Sequence, residues 1–368
     1  MLIGIPKEIK DHEYRVAVTP DGVAALIAAG HQVRVQSGAA ARIGFTDDAY
    51  RAAGAQIVAD AVAVYAAELI IKVKEPQPAE IARLRTGQII FGYLHLAADR
   101  ELTARLLERK IIGVSFETVT ADSGTPLLAP MSAVAGRVAV LAGTQALAMK
   151  SGGNGTLLSG VLDVAPGRVT IIGAGMAGTN AAHLALGLGA DVTVLDHNME
   201  RLRHLDERYQ GRIKTRYSDA AAIAELVAGA DLVIGAVLLP GKKAPKLISR
   251  QMVASMRPGS VLADIAIDQG GCAETSRPTS HSNPTYIEEG VVHYCVTNMP
   301  AAFARTATQA LAAVVLPYAQ QLANRGMAAL LADKGFLDGL NVYLGAVTHA
   351  AVAEDTGYPY VEPHTLKL

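Results

Sequence analysis

Short apolar runs alternate with amphipathic stretches along most of the chain. Residues 2–5, 32–36, 69–74, 88–91 and 111–115 read as strands rich in Leu, Ile and Val. Helical patterns lie between several of them. One opens at Thr19-Pro20, where a capping hydroxyl precedes a proline whose missing N–H costs nothing in a first turn, and it stops at Gly30. Others cover 47–53 and 100–110. Such alternation predicts a parallel sheet with helices on its faces. Residues 133–149 then read as a long Ala-rich helix, and the polar stretch SGGNG (151–155) as a flexible segment. A second alternating series follows, with strands at 168–173, 191–195, 212–215, 232–236, 260–263 and 291–296 and a long helical region at 301–323. The tail beyond residue 323 reads as helical and too small for a third domain. It is expected to pack back on the first unit and make that unit discontinuous.

Composition narrows the class. The chain has 368 residues, a comfortable length for two domains. With 51% apolar and 18% charged residues, it can build a large core and is not a disordered chain. A net charge of −1 offers no basic excess for a phosphate backbone, so no nucleic-acid partner is expected. Two cysteines, Cys272 and Cys295, suffice neither for a disulfide framework nor for a four-thiolate metal site. Both read as small buried residues, and no metal is expected. The N-terminus MLIGIPKEIKDHEYR is charged too early for a secretory apolar segment. No run reaches the roughly 18 uncharged apolar residues of a membrane span, the nearest being interrupted by Asp231. The expectation is a soluble cytoplasmic protein without a membrane partner.

The most specific motif is RVTIIGAGMAG (168–178). A strand runs into Gly173-x-Gly175-x-x-Gly178, with Met176 and Ala177 in between, and a helix continues from it. Gly173 permits the tight turn, Gly175 lets the backbone approach a pyrophosphate, and Gly178 lets helix and strand pack closely. The free N–H groups of the helix start attract the phosphates. The next strand ends at Asp196, 18 residues beyond Gly178, where a carboxylate can bind a ribose 2′-hydroxyl and repel a 2′-phosphate. NAD is therefore favoured over NADP, with Arg201 and Arg203 nearby as cations that soften the preference or simply lie on a surface helix. The predicted fold class is α/β, with two Rossmann-like, doubly wound parallel-sheet domains joined by long helices and the first domain discontinuous.

In open parallel sheets, ligands bind beyond the carboxyl ends of strands. In the first unit the polar residues there are Lys7, Glu8 and Arg15 after the first strand, Lys74 at the end of LIIKVK, and His95 in GYLHL. Such a set suits a small 2-oxo or 2-amino acid. Arginine can grip a carboxylate through two parallel hydrogen bonds, lysine can polarise a carbonyl, and histidine titrates near neutrality and can move a proton. In the second unit VLADIAIDQGG puts Asp268 after a strand, facing the same crevice if the domains close. Taken singly, Arg15 and Lys74 read equally well as surface charges, His95 as a core histidine, and Asp268 as a turn residue before Gly270-Gly271.

The stretch GIPKEIKDHEYRVAVTPDGVAALIAAG (4–30) resembles the signature of alanine dehydrogenases, and a related one marks the soluble NAD-binding part of proton-translocating transhydrogenases. The resemblance continues through KVKEPQ, FGYLHLA, PMSAVAGR, GAGMAG, ADIAIDQGGCAETSRPT and YCVTNMPA, nearly end to end. It implies NAD-dependent, reversible oxidative deamination of L-alanine to pyruvate and ammonium. It implies that Arg15 holds the substrate carboxylate, Lys74 binds its carbonyl or carboxylate, His95 is the acid–base catalyst, and Asp268 is a second acid–base or ammonia-site residue. Ser132, Asp196, Arg201, Ser218, Val237, Leu238, Ile267, Asp268, Asn298 and Met299 would line the NAD site beside the glycines. The implied domains are 1–128 with 305–368 for substrate and catalysis and 129–304 for NAD, in a homo-hexamer. His12 stands where relatives usually carry asparagine, and Ala28 replaces a usual basic residue. The loop PGKKAPK (240–246) reads either as a mobile edge of the cofactor cleft or as a solvated basic turn.

Overall fold

The structure is a computed structural model and describes residues 1–122, 124–237 and 244–366. The chain forms two compact units, residues 1–131 with 303–368, and residues 132–302. Among the described residues the strands are, in chain order, β1 (Leu2–Ile5), β2 (Gln32–Gln36), β3 (Gln56–Val58), β4 (Leu69–Ile71), β5 (Ile89–Gly92), β6 (Ile112–Ser115), β7 (Arg168–Ile172), β8 (Asp191–Asp196), β9 (Lys214–Tyr217), β10 (Leu232–Gly235), β11 (Val261–Asp264), β12 (Thr285–Glu288), β13 (Val291–Tyr294), β14 (Leu340–Tyr343) and β15 (Ala346–Val347).

The first unit holds an eight-stranded sheet in the order β15-β14-β6-β5-β4-β1-β2-β3. β1 to β6 pair in parallel, and β14 and β15 add antiparallel at one edge. β1 lies between β2 and β4, so the winding reverses there. The second unit holds a seven-stranded sheet in the order β12-β13-β11-β10-β7-β8-β9, parallel except for β12. Its reversal falls between β7 and β10. The inner strands β5, β6, β10 and β11 are buried along their whole length, because helices cover both faces of a parallel sheet. Tyr65, Ile70, Ile90, Leu106 and Val342 belong to the core of the first unit, and Ile172, Leu195, Val227, Val233 and Leu262 to that of the second.

Local signals behave as the chemistry dictates. Thr19 caps the helix Pro20–Ala28 by accepting from the Gly22 N–H, and Pro20 occupies its first turn. With Ala28 as its last residue, that helix has no basic side chain in its final turn. His12 adopts a left-handed backbone, φ 53°, which is a conformation that asparagine and histidine tolerate better than most residues.

The structure also departs from the sequence reading. The tail is not simply helical, since β14 and β15 extend the first sheet, with Leu340 and Val342 fully buried. β4 stops at Ile71 rather than 74, because its neighbour β1 has already ended at Ile5. β9 lies at 214–217, two residues later than read, since Gly211 turns at φ 73°. The helix read at 133–149 spans Ala129–Ala146, Pro130 being harmless in a first turn. Residues 151–155 are pinned rather than loose. Gly155 N–H donates to Leu147 O at 2.8 Å, and Asn154 N–H to Gly259 O at 2.8 Å. The segment Met299–Arg325 is long and apolar enough by composition to cross a membrane, with mean hydropathy 1.2. Thr306, Thr308, Gln309, Gln320 and Gln321 break its apolar run. The helix Ala304–Arg325 buries Ala307, Leu311, Val315 and Leu322, and Thr308 Oγ1 accepts from Val16 N–H at 3.2 Å, as in a core helix of the first unit.

Candidate active site

In the second unit, residues proposed from sequence for the cofactor gather at the carboxyl ends of the strands. Gly173 follows β7 with φ 108°, and a Cβ there would lie 2.6 Å from Ala236 O after β10. Gly178 packs tighter still, with its absent Cβ only 1.7 Å from Gly173 O. Gly175 caps the helix Met176–Gly187, and a Cβ added there would meet nothing within 4 Å. The helix start therefore faces open space, and Met176 is exposed beside it. Asp196, at the end of β8, is buried. Its carboxylate accepts from Ala174 N–H at 2.6 Å and Asn198 N–H at 2.8 Å, tying the acidic residue to the glycine turn. Arg201 Nη1 stands 3.7 Å from Asp196 Oδ2, and His197 Nδ1 3.7 Å from Oδ1.

Ser218 follows β9 and donates its N–H to Asp196 O at 3.0 Å. Val237 follows β10 and packs on the core. Ile267 is buried in the short helical turn Ile265–Gln269 after β11, where Asp268 is exposed. Asn298 has φ 64°, its carbonyl lies 3.1 Å from His281 Nε2, and Met299 beside it is buried. Ser132 is half-buried in the helix Ala129–Ala146. Leu238 and residues 240–243 of the basic loop lie outside the described residues. Lys246 is exposed, and its ammonium donates to Gly270 O at 2.6 Å and Ala273 O at 2.9 Å.

Asp264, the last residue of β11, shapes that region and was not read as functional. It is fully buried and accepts from Ala266 N–H (3.0 Å), Cys272 N–H (2.8 Å) and Ser276 Oγ (2.6 Å). The loop carrying Ile267 and Asp268 thus hangs from one carboxylate. Cys272 and Cys295 are both buried, and burial, then the nearby Asp264 carboxylate, pushes both thiols up, Cys295 to about 11.

In the first unit, Arg15, Lys74 and His95 follow β1, β4 and β5. Arg15 and Lys74 are not surface charges, being 2% and 8% exposed. His95 is not a core histidine, because its side chain is 39% exposed. Its backbone sits at φ 51°, a left-handed conformation that costs about 1–3 kcal/mol outside glycine and gathers at functional sites. The imidazole stacks near-parallel on Tyr93 with ring centroids 6.0 Å apart. Lys74 Nζ lies 3.1 Å from His95 Nε2. An ammonium can only donate, so Nε2 carries the lone pair and the neutral ring holds its proton on Nδ1. Nδ1 is 3.9 Å from Glu117 Oε1, which also accepts the His95 N–H at 2.6 Å.

Arg15 departs from the simple picture of a waiting carboxylate clamp. Glu13 already takes its Nε and Nη2 edge, at 2.7 and 2.5 Å, and Nη1 donates to Met131 Sδ at 3.1 Å. Burial, opposed by the Glu13 carboxylate, leaves Arg15 raised and permanently cationic. Beside Lys74, burial raises Glu75, yet the Lys74 and Lys10 ammoniums outweigh it and hold its carboxyl at about 2. Sequence reading missed Glu13, Glu117 and the pairing of Glu8 with Lys72. The signals were slight, namely an acid two residues before Arg15, an acid just after β6, and two lysines at the strand spacing that shares a face.

The two units thus present one dinucleotide cradle and one cationic edge with a titratable imidazole. The model of the alanine dehydrogenase/PNT N-terminal domain matches residues 4–135, and that of the C-terminal domain residues 139–350. The chain is 56% identical to an alanine dehydrogenase of Halomonas elongata over 100% of both chains. It is 53% identical to that of Bacillus subtilis, covering 98% of this chain and 96% of the other. A solved L-alanine dehydrogenase superposes with a TM-score of 0.93 at 48% identity, covering 97% of this chain and 99% of its own. Motif, fold and full-length likeness agree, and the chain belongs to the alanine dehydrogenase/PNT family.

Proposed function

We propose that the chain catalyses the reversible reaction L-alanine + NAD⁺ + water ⇌ pyruvate + ammonium + NADH + H⁺. The observation that carries this reading is His95, a half-exposed imidazole held on a left-handed backbone against the Lys74 ammonium, with the buried Arg15 acting electrostatically on Tyr93, on which the imidazole stacks. A three-carbon acid needs those three groups. Arg15 fixes the carboxylate, Lys74 polarises the 2-oxo oxygen, and His95 Nε2 takes or returns the proton exchanged at that oxygen or at attacking water. Asp268 serves as a second acid–base or ammonia-site group. The cradle fits a dinucleotide, with open space at Gly175, the helix start for the pyrophosphate, and Asp196 for a ribose hydroxyl that NAD has and NADP lacks. Ser132, Arg201, Ser218, Val237, Ile267, Asn298 and Met299 complete its lining. NAD, when bound, supplies the hydride acceptor.

His95→Ala should leave NADH binding, followed by its fluorescence, within a factor of two while removing most turnover with pyruvate and ammonium. Near wild-type kcat in that variant would defeat the assignment. We further propose a cytoplasmic homo-hexamer. The exposed Leu157, Val161, Leu162 and Val164, with Leu162 91% exposed, support burial in an assembly. Light scattering should return about six times 38.3 kDa, and a monomer would refute it.

A further inference from the structure

We propose that Glu8 and Lys72, a buried ion pair, are positioning residues that set the place of the Lys74 ammonium by bracing the backbone just beyond β4. The inference rests on the alanine dehydrogenase reading above. β1 pairs with β4 no further than Gly4 opposite Ile70, and β1 ends at Ile5. Past Ile71 the chain has no strand on its β1 side. Glu8 fills that place, its Oε1 accepting from Val73 N–H at 2.6 Å and from Lys74 N–H at 3.3 Å. A carboxylate thus continues the ladder that a strand would have supplied.

Lys72 closes the brace. Its ammonium donates to Glu8 Oε2 at 2.8 Å and to the Lys74 carbonyl at 2.8 Å, and lies 3.4 Å from Glu80 Oε2. Two of its N–H bonds thus have hydrogen-bond acceptors, and Glu80 adds a second carboxylate beside the charge. Glu80 is itself fixed by Tyr65 OH at 2.8 Å and Gln77 N–H at 2.7 Å. On the other side Tyr93 N–H donates to Val73 O at 3.0 Å, so residues 72–74 are held from both flanks. The Lys72 and Glu8 side chains are 0% and 2% exposed. Burying an ion pair typically stabilises no better than apolar residues of the same volume, so stability alone does not explain it. Its directed bonds end on the segment that carries Lys74, whose ammonium must stay within reach of His95 Nε2. A misplacement of about 1 Å at such a site costs on the order of a hundredfold in rate.

The test compares wild type with Lys72→Met, Glu8→Gln and the double variant, measuring KM for pyruvate, KM for NADH, kcat and thermal midpoint. Each variant should raise KM for pyruvate at least tenfold and lower kcat, with KM for NADH within twofold, because the dinucleotide contacts lie on other residues. The double variant, which removes one charge of each sign, should regain thermal stability relative to Lys72→Met without regaining the pyruvate KM. A folded variant with pyruvate KM and kcat within twofold of wild type overturns the proposal, even if it melts earlier. Loss of folding in all three also overturns it, since the pair would then be a requirement of the fold. A wild-type enzyme without alanine-dependent NADH formation would sink the functional reading instead, and is seen before any variant is made.

Discussion

Replacing Gly178 by alanine asks the most of the dinucleotide cradle. The new Cβ would lie 1.7 Å from Gly173 O and 2.9 Å from Gly173 C. Ordinary carbon–oxygen contact begins near ~3.3 Å, so the start of the helix Met176–Gly187 must withdraw by roughly 1.5 Å from the turn after β7. Neither obstructing atom belongs to a flexible side chain, so no rotamer change relieves the clash. Overpacking of this kind destabilises by about 1–3 kcal/mol. The N–H groups that would hold the pyrophosphate move with the helix, and losing one hydrogen bond to a charged group costs about 1.5–3 kcal/mol. That corresponds to a Kd for NADH weakened roughly 10- to 150-fold. Fluorescence titration of NADH into the folded variant measures it directly. A Kd within threefold of wild type would refute the claim that this close approach shapes the phosphate site.

Arg15→Lys keeps the charge but loses the planar fork, so KM for pyruvate should rise at least tenfold, read by steady-state kinetics at saturating NADH. Asp196→Ser removes the carboxylate that would repel a 2′-phosphate, and the ratio of kcat/KM for NADPH over NADH should rise at least tenfold; an unchanged ratio would assign Asp196 to holding the glycine turn alone. Glu75, held at about 2 against an ordinary 4.5, is a carboxyl whose pKa falls on folding, so its contribution is whole above about pH 4.5 and fades as pH drops towards 2. Glu75→Gln should therefore lower stability by up to about 3 kcal/mol at pH 7 and by less than half of that at pH 3, measured as denaturation midpoints. An equal loss at both pH values would count against the ion-pair account.

Much of the fold was legible because its strands are apolar runs bounded by turn residues. β1 and β2 match the reading at both ends, and the glycine motif falls between a strand and a helix as its chemistry requires. The missed strands β3, β12, β14 and β15 are edge or near-edge strands of two to four residues, too short to carry a period. The positions of Arg15, Lys74 and His95 after strands were legible for the same reason. Their surroundings were not. Burial of Arg15 by Glu13, and of Lys72 by Glu8 and Glu80, joins residues 2, 64 and 8 places apart, and only folding brings the distant ones together.

The same comparison separates function from stability at the edge of the first sheet. A left-handed backbone alone does not single out His95, since Lys110, Gln210 and Leu344 share it in ordinary turns and helix ends. Buried charge alone does not either, since Asp231 is buried at the opposite end of the second sheet, where it accepts from Arg168 N–H at 2.9 Å just before β10. The conjunction is what differs. Glu8, Glu13, Arg15, Lys72, Lys74 and Glu80 are all at most 8% exposed, and they follow the strands whose next residues include His95. A sheet edge selected for stability would bury apolar side chains there, because each desolvated charge costs several kcal/mol before its partner repays it. Instead Arg15 pairs with Glu13, Lys72 with Glu8 and Glu80, and Lys74 with Glu75, and the Lys74 ammonium reaches the half-exposed imidazole of His95. Such an edge keeps its groups fixed before any substrate arrives, so reorganisation need not be supplied during the reaction.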